Sequence, residues 1–288
     1  MNLNFDIPEN NLWWRPNYWP YTNELIFKKI QNFRASFLKA KNNPEFQNEL
    51  KLLSKFYQSN YIHECLKGER NLNDDELSIT DVEIIIENQR RKSKNEIKIL
   101  NMHRALLYLF PDPFSSSNEI KEFTIDMAKK LNTILGYDLW DNPGLFRTAP
   151  VSPSNEDYEY VKPHLIEEKL ESLFKNTRHL FEKYSEIHER IKIGALFFTM
   201  FLDIHPFSNG NGRISRLLLS FILSNPCVVP IGLYYSHRSR EIYLNCLRES
   251  RQISSSNEKS YCPLAFSALV LESILKNVEL VINLLGKI

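Results

Sequence analysis

The stretch IGALFFTMFLDIHPFSNGNGRISRLLLSFILS, residues 193–224, joins two apolar segments through a short run of asparagine and glycine. Apolar residues recur at helical spacing in both segments, which predicts two helices, over residues 186–202 and 213–224. Proline cannot continue a helix and glycine favours unusual backbone dihedrals, so residues 205–213 are predicted to form the loop between them. This loop therefore leads into the N-terminus of the second helix.

The rest of the chain shows the same helical periodicity, and alternating strand patterns are few. Further helices are predicted over residues 25–38, 81–87, 96–110, 120–135, 165–184 and 264–285. The segment LWDNPGLFRTAPVSPS, residues 139–154, is rich in turn-forming residues and is predicted to be irregular or a short hairpin. Together these patterns predict an all-α fold.

Composition limits the classes of partner. The 288 residues are 43% hydrophobic and 25% charged, which is ordinary for a globular protein of one large domain or two small ones. A net charge of +1 gives no reason to expect nucleic acid or an acidic membrane as a partner. The N-terminus lacks the pattern of a secretory signal, and the most apolar run, residues 193–204, is too short to span a bilayer. We therefore expect a soluble, cytoplasmic protein.

The loop has the composition of an anion-binding site. The first amides of a helix have no partner within the helix, and the helix dipole favours negative charge there. Gly210 and Gly212 allow the backbone to turn its amides around a phosphate group, and Asn211 can add a neutral donor. A Gly-Asn-Gly sequence alone is usually only a turn, so the prediction depends on the residues around it.

Three charged or titratable residues flank the glycines. Arg213 and Arg216 are three positions apart, so they lie on neighbouring positions of the second helix and can bind further phosphate oxygens. His205 begins the loop and is the one residue there able to accept a proton near neutral pH. A histidine before a proline is by itself usually a helix end. Combined with the glycines and arginines, it indicates a site for phosphate chemistry.

Residues 205–216, HPFSNGNGRISR, resemble the signature HPFx(D/E)GNGRxxR of the Fic (filamentation induced by cAMP) family. Three further segments are similar to patterns of that family. NEIKILNMHRALLYL (95–109) resembles its E(V/I)xNxxxAL helix, PGLFRTAPV (143–151) its PGxxRxxxV segment, and IYLNCL (242–247) its YxxaL helix. The resemblance covers about residues 55–252.

The resemblance implies a Fic-type helical bundle with a short β-hairpin flap. It divides the chain into an N-terminal helical extension (residues 1–54), a core (residues 55–252) and a C-terminal helix packed on the core (residues 253–288). It also implies a protein nucleotidyltransferase. Such an enzyme uses ATP with Mg²⁺ or Mn²⁺ and moves AMP onto a serine, threonine or tyrosine hydroxyl of a target protein.

The resemblance further implies roles within the loop. His205 would deprotonate the target hydroxyl, and Arg216 would bind the terminal phosphate of ATP. Four residues would hold the phosphate oxygens and stabilise the charge that develops on them: Gly210, Asn211, Gly212 and Arg213. Phe207 would anchor the loop in the core.

Asn209 departs from the family signature, which has an aspartate or glutamate at this position as the metal ligand. An amide oxygen can coordinate Mg²⁺ but brings no charge, and hard divalent cations favour carboxylates. Asn209 is therefore expected to bind metal weakly, which lowers the expected rate of transfer or removes the activity itself.

A second departure lies in FYQSNYIHECL, residues 56–66, which resembles an inhibitory helix found in many family members. There a glutamate pairs with the second arginine of the signature and keeps the terminal phosphate out. Ser59 matches, but His63 stands at the glutamate position, and Glu64 follows it about 100 degrees further around the helix. A competing match, residues 87–88, lacks the preceding serine or threonine. We therefore expect autoinhibition to be altered or absent.

Two interpretations from different classes remain open. In the first, the protein is an active enzyme that modifies a target protein. In the second, Asn209 leaves a Fic fold that binds nucleotide or a partner protein without turnover. Transfer of UMP, phosphate or phosphocholine, and removal of AMP from a modified protein, are further alternatives. The identity of the target, self-modification and a homodimer are also left open by the sequence.

Overall fold

The computed structural model describes residues 1, 3–67, 77–111, 114, 122–153, 157–224, 227–228, 230–233, 238–256 and 262–286. Within them the chain forms ten α-helices: α1 (Asn23–Lys41), α2 (Gln47–Lys67), α3 (Ile79–Asn88), α4 (Lys94–Leu109), α5 (Ile125–Gly136), α6 (Ile166–Lys183), α7 (Ile187–Ile204), α8 (Asn211–Ile222), α9 (Ser239–Ser256) and α10 (Leu264–Leu285). The all-α prediction is confirmed for this part of the chain. None of these helices is long and apolar enough to cross a membrane.

Helix α7 lies at the centre of the fold because nearly all of its faces are apolar. It packs against α6, α8 and α10. Aromatic rings fill these contacts: the centroids of Phe197 and Phe174 of α6 lie 5.2 Å apart, and those of Phe198 and Phe266 of α10 lie 4.5 Å apart. Because α7 and α8 pack against each other in the core, the loop between them is held at both ends by buried helices.

The starts of α3 and α4 follow local capping chemistry. Ser78 and Ser93 are the N-caps, and each forms a capping box with the acidic residue three positions later, Asp81 and Glu96 respectively. In a capping box each side chain bonds the backbone N–H of the other residue, which satisfies two amides that the helix leaves without partners. The prediction that residues 81–87 are helical is confirmed.

The predicted β-hairpin flap is wrong for the described part of residues 139–161, which contains no strand. One backbone hydrogen bond joins its two arms, from the Tyr160 N–H to the Val151 carbonyl at 3.3 Å. The Arg147 N–H turns away from the opposite arm and donates to the Pro206 carbonyl of the loop, at 2.9 Å. Because the Arg147 N–H is used on the loop and the Val161 N–H on the Asp203 carbonyl of α7, these two donors are not available for a ladder between the arms.

Both predicted domain boundaries fall inside helices, and the division into three parts stays a prediction. The boundary between residues 54 and 55 lies within α2, and the boundary between residues 252 and 253 lies within α9. The N-terminal extension and the core therefore share a helix. At the other end of the chain, α10 packs against α1, α7 and α9.

The segment before α1 is attached to α10 by a buried ion pair. Arg15 Nε donates to Glu272 Oε1 at 2.5 Å, and the Trp14 indole N–H donates to Glu272 Oε2 at 2.9 Å. The paired side chains are only 5% and 3% exposed. A buried carboxylate is costly unless it is paired and hydrogen-bonded, so the N-terminal segment supplies the partners that Glu272 needs inside α10.

Candidate functional site

The loop between α7 and α8 begins and ends with left-handed backbone. His205, with φ of 49°, ends α7, and Gly210, with φ of 83°, directly precedes α8. Left-handed dihedrals are uncommon outside glycine and persist where the surroundings enforce them, often at functional sites. A Cβ at position 210 would lie 2.6 Å from the Trp140 indole. Both the dihedral and the indole therefore require glycine there.

Two asparagine side chains hold the loop in shape. Asn211 Oδ1 accepts from the Phe207 N–H at 3.0 Å, and Asn211 Nδ2 donates to the Phe207 carbonyl at 2.7 Å. Asn132 of α5 donates to the Asn209 carbonyl at 3.0 Å and accepts from the Gly144 N–H at 2.7 Å. Phe207 itself is buried, as expected. The side-chain amide of Asn211 is thus engaged within the loop, and its backbone N–H is the donor that it can offer to a phosphate.

Arg147 ties the segment after α5 to the loop. It is only 4% exposed, and its side chain donates to four backbone carbonyls. The acceptors are those of His205 at 2.7 Å, Ala149 at 2.9 Å, Ile204 at 3.3 Å, and Val161. Two of these carbonyls end α7 and two belong to the segment packed over it, so the guanidinium fixes the backbone that carries His205.

One nitrogen of the His205 imidazole is hydrogen-bonded to the backbone, and the other is left to accept a proton. Nδ1 lies 3.3 Å from the Leu202 carbonyl. Because a carbonyl can only accept, we assign the proton to Nδ1, which leaves the lone pair on Nε2. Burial lowers the pKa of His205 from 6.5 to about 4; the positive charges of Arg147 and Arg251 add to this, and the bond to Leu202 opposes it. The imidazole is therefore neutral at physiological pH.

The N-terminus of α8 opens onto the loop without a side-chain cap. Gly212 lies in its first turn, and the first amides of a helix have no partner within the helix. Arg213 and Arg216 are buried, at 7% and 1% exposure. The Arg213 guanidinium lies 5.3 Å from the centroid of the Trp140 ring, and Arg216 Nη2 donates to the Cys65 carbonyl of α2 at 3.0 Å. Two buried positive charges thus add to the helix dipole in favouring an anion here.

The residues present do not fit a metal ion held by protein ligands. Asn209, at the predicted metal position, is exposed and offers one neutral amide oxygen. Across the described residues there is no group of three histidine, cysteine or acidic side chains that could hold a metal. Mg²⁺ and Mn²⁺ favour carboxylate oxygens, and the loop provides none.

The two central residues of the predicted inhibitory segment lie on different faces of α2. His63 Nε2 lies 2.8 Å from the Leu77 carbonyl, in the segment before α3. Glu64 Oε1 accepts from Asn60 at 3.2 Å. A Cβ on Gly232 would come within 1.7 Å of Glu64 Oε2, so the carboxylate rests on that glycine. His63 and Glu64 therefore face different neighbours.

Arg216 of α8 contacts α2 at the carbonyl of Cys65. Burial raises the pKa of the Cys65 thiol to about 11, with the Arg216 charge lowering it and the Glu64 charge raising it. Cys65 thus lies within electrostatic range of both residues. The roles predicted for His63 and Glu64 toward Arg216 stay predictions; the contacts described for the two residues are those of His63 with Leu77 and of Glu64 with Asn60 and Gly232. Ser59 is buried and lines a cavity of about 410 Å³ between α2, α3 and α4.

Sequence reasoning did not single out four residues of the site: Asn132, Trp140, Arg147 and Tyr160. Arg147 carried a usable signal, because it is the arginine of the PGLFRTAPV segment and stands among turn formers with no acidic neighbour to pair with. The other three carried none, since asparagine, tryptophan and tyrosine in loops and at helix ends are common for many reasons.

Comparisons with known proteins agree with this geometry. Residues 122–223 match the Fic/DOC family. A probable protein adenylyltransferase of Aquifex aeolicus is 39% identical over 62 residues, which are 22% of this chain and 18% of that protein. The protein adenylyltransferase Fic of Nematostella vectensis is 28% identical over 142 residues, which are 49% of this chain and 31% of that protein. Each match therefore spans less than a third of the relative's own length.

A solved structure extends the likeness to most of the fold. A Fic-domain-containing signalling protein from Bacteroides thetaiotaomicron superposes with a TM-score of 0.69 at 18% identity, covering 91% of this chain and 97% of that one. At this identity the likeness concerns the fold alone. The comparisons thus lead to two conclusions: residues 122–223 of this chain match the Fic/DOC family, and the fold resembles that of a solved Fic-domain protein.

Proposed function

We propose that the protein transfers AMP from ATP onto a hydroxyl group of a target protein. One observation carries the proposal: a histidine with its lone pair on Nε2 and a helix N-terminus without a side-chain cap lie at the two ends of the same short loop. A base and an anion site at this spacing suit attack of a hydroxyl on a phosphate. Both relatives described above are named protein adenylyltransferases, which supports AMP as the transferred group.

His205 acts as the base in this proposal. Its Nε2 accepts the proton of the hydroxyl, whose oxygen forms a bond to the α-phosphorus of ATP while the bond to pyrophosphate breaks. The pKa of about 4 keeps the imidazole ready to accept a proton at neutral pH but makes it a weak base. Bound phosphates bring negative charge close to the ring, and a nearby negative charge raises the pKa of a histidine. Nucleotide binding therefore strengthens the base.

The start of α8 receives the phosphates. Its first amides, including that of Gly212, donate to phosphate oxygens, and Gly210 allows the backbone to approach them closely. Arg213 stabilises the charge that develops on the α-phosphate, and Arg216 offsets the charge of the terminal phosphate. These contacts use protein donors alone, since the loop offers a metal ion only the amide of Asn209.

The amide of Asn209, in place of a carboxylate, favours a second candidate function. Without a carboxylate at position 209, the site would bind nucleotide and hold it without rapid transfer. The protein would then act as a nucleotide-dependent binding module. The two functions share the anion site and differ in turnover.

The test is transfer of label from ATP labelled at the α-phosphate, with Mg²⁺ or Mn²⁺, to the protein itself or to proteins of a cell extract. We expect labelling by the wild type and loss of labelling in His205→Ala, with ATP binding retained in both by calorimetry. Binding without labelling, in the wild type and in Asn209→Asp, would favour the binding module. Absence of ATP binding would overturn both functions.

A further inference from the structure

A tyrosine ring covers one face of the His205 imidazole. The centroids of Tyr160 and His205 lie 4.0 Å apart, and the ring planes are inclined by 17°, so the rings are stacked. Tyr160 is only 9% exposed, so the stack excludes water from that face. The lone pair of Nε2 lies in the plane of the imidazole, whereas stacking uses its face. Tyr160 therefore restricts rotation of the imidazole without occupying its proton-accepting edge.

The backbone of Tyr160 is attached to the end of α7. Its own N–H donates to the Val151 carbonyl at 3.3 Å, and the N–H of the next residue, Val161, donates to the Asp203 carbonyl at 3.3 Å. The Val161 carbonyl in turn accepts from the Arg147 guanidinium. The position of the tyrosine relative to the loop is thus fixed by hydrogen bonds on both sides.

Arg251 of α9 supports the ring. Arg251 Nε donates to Asp203 Oδ1 at 3.1 Å, and the two side chains are 10% and 14% exposed. The guanidinium carbon lies 5.5 Å from the centroid of Tyr160 and 4.9 Å from that of Tyr158. Tyr158 meets Tyr160 edge to face at 5.7 Å. Tyr158 and Arg251, the latter held by Asp203, therefore contact the Tyr160 ring and limit its movement.

We propose that Tyr160 is a positioning residue for His205. Its ring holds the imidazole in the orientation in which Nδ1 donates to Leu202 and Nε2 faces the target hydroxyl, and the ion pair of Arg251 with Asp203 keeps the ring in place. The inference rests on the proposed function, because Tyr160 has this role only if His205 is the base. Tyr160 acts through the imidazole.

The stack of Tyr160 on His205 also helps to keep the pKa of His205 low, because it contributes to the burial of the imidazole. The charged groups that act on His205 are Arg147, from the segment after α5, and Arg251 of α9, which is paired with Asp203 of α7; the Tyr160 ring covers the imidazole face. Burial is the main reason that the pKa of His205 is lowered from 6.5 to about 4. Removing the ring admits water to the imidazole, so the pKa rises toward 6.5. A variant without the ring is then protonated, and loses transfer, at about pH 5–6, where the wild type remains neutral.

The first measurement is the titration of His205 by NMR in protein labelled at its histidines, with the resonance identified by its loss in His205→Gln. We expect the wild type and Tyr160→Phe, which keeps the ring, to titrate alike. Tyr160→Leu should titrate at least about one pH unit higher, a tenfold change in proton affinity. Tyr160→Met, which fills a similar volume without a ring, replaces it if Tyr160→Leu does not fold. Equal titration in all folded variants overturns the proposal.

The second measurement is label transfer at pH 5.5 and pH 8. At pH 8 we expect kcat of the ringless variant to fall by roughly tenfold to a hundredfold, as for a misplaced reacting group, with KM for ATP unchanged. At pH 5.5 its loss should be larger still, and Tyr160→Phe should restore wild-type behaviour at both values. Equal loss in the Phe and Leu variants overturns the proposal. If the wild type transfers no label, the proposed function fails, while the titration still decides whether the ring controls His205.

Discussion

Arg147→Met removes a buried guanidinium from four backbone carbonyls while filling much of the same volume. A hydrogen bond from a charged donor contributes about 1.5–3 kcal/mol, and a buried carbonyl without a partner costs about 1–3 kcal/mol. Burial lowers the pKa of Arg147, so part of this gain is offset by the desolvation of its charge. We therefore expect the free energy of unfolding to fall by about 3–5 kcal/mol. For 288 residues the entropy of unfolding is about 0.6 kcal/mol/K, which converts this loss to about 5–8 °C in Tm.

The assay is thermal unfolding by calorimetry, with Arg178→Met as the matched control. Arg178 donates to one backbone carbonyl, that of Phe123 at 2.7 Å, so its loss should cost about 1–2 kcal/mol, or about 2–3 °C. Label transfer should fall in Arg147→Met and not in Arg178→Met, because only Arg147 holds the backbone of His205. Equal changes of Tm in the two variants would refute the argument that the four carbonyls act together.

Three further predictions concern the loop and α2. His205→Ala should lower label transfer by about 10²–10⁴-fold with Tm and ATP affinity little changed, and transfer equal to the wild type would remove His205 as the base. Asn209→Asp should make transfer faster and more dependent on Mg²⁺; a Mg²⁺ titration that matches the wild type would show that position 209 does not limit the reaction. Glu64→Ala should tighten ATP binding by up to about tenfold in calorimetry, or about 1.4 kcal/mol, whereas His63→Ala should leave it unchanged.

Most of the fold could be predicted from the sequence because it depends on periodicity. The apolar run in residues 193–202 lies within α7, and residues 81–87 lie within α3, whose N-cap is Ser78. The β-hairpin could not be judged this way, since turn formers are compatible with both a hairpin and irregular backbone. In this segment Arg147 favours irregular backbone. Its guanidinium donates to carbonyls of both arms, and its backbone N–H donates to the Pro206 carbonyl of the loop.

The loop residues were predictable because their chemistry is carried by residue type and local spacing. A reader of the sequence can pick out the loop residues because they stand within twelve consecutive positions: His205, Gly210, Arg213 and Arg216. Tyr160 and Arg251 differ, since they lie 45 or more residues from His205 along the chain and meet it only after α7 and α9 have packed. A single sequence has no local pattern that records such a contact.

The prediction for Glu64 rests on the helical register of α2. Successive residues of a helix are about 100 degrees apart, so a residue two positions after Tyr61 lies on nearly the opposite face, and one three positions after it lies about 60 degrees away. Tyr61 contacts α8 through Ser220, with the two oxygens 3.3 Å apart. By this register His63 lies on the opposite face, where it contacts the Leu77 carbonyl, and we expect Glu64 to lie closer to α8. A carboxylate there lowers the local potential at Arg216, so its removal should favour the phosphates of ATP. Tighter ATP binding in His63→Ala than in Glu64→Ala would contradict this register.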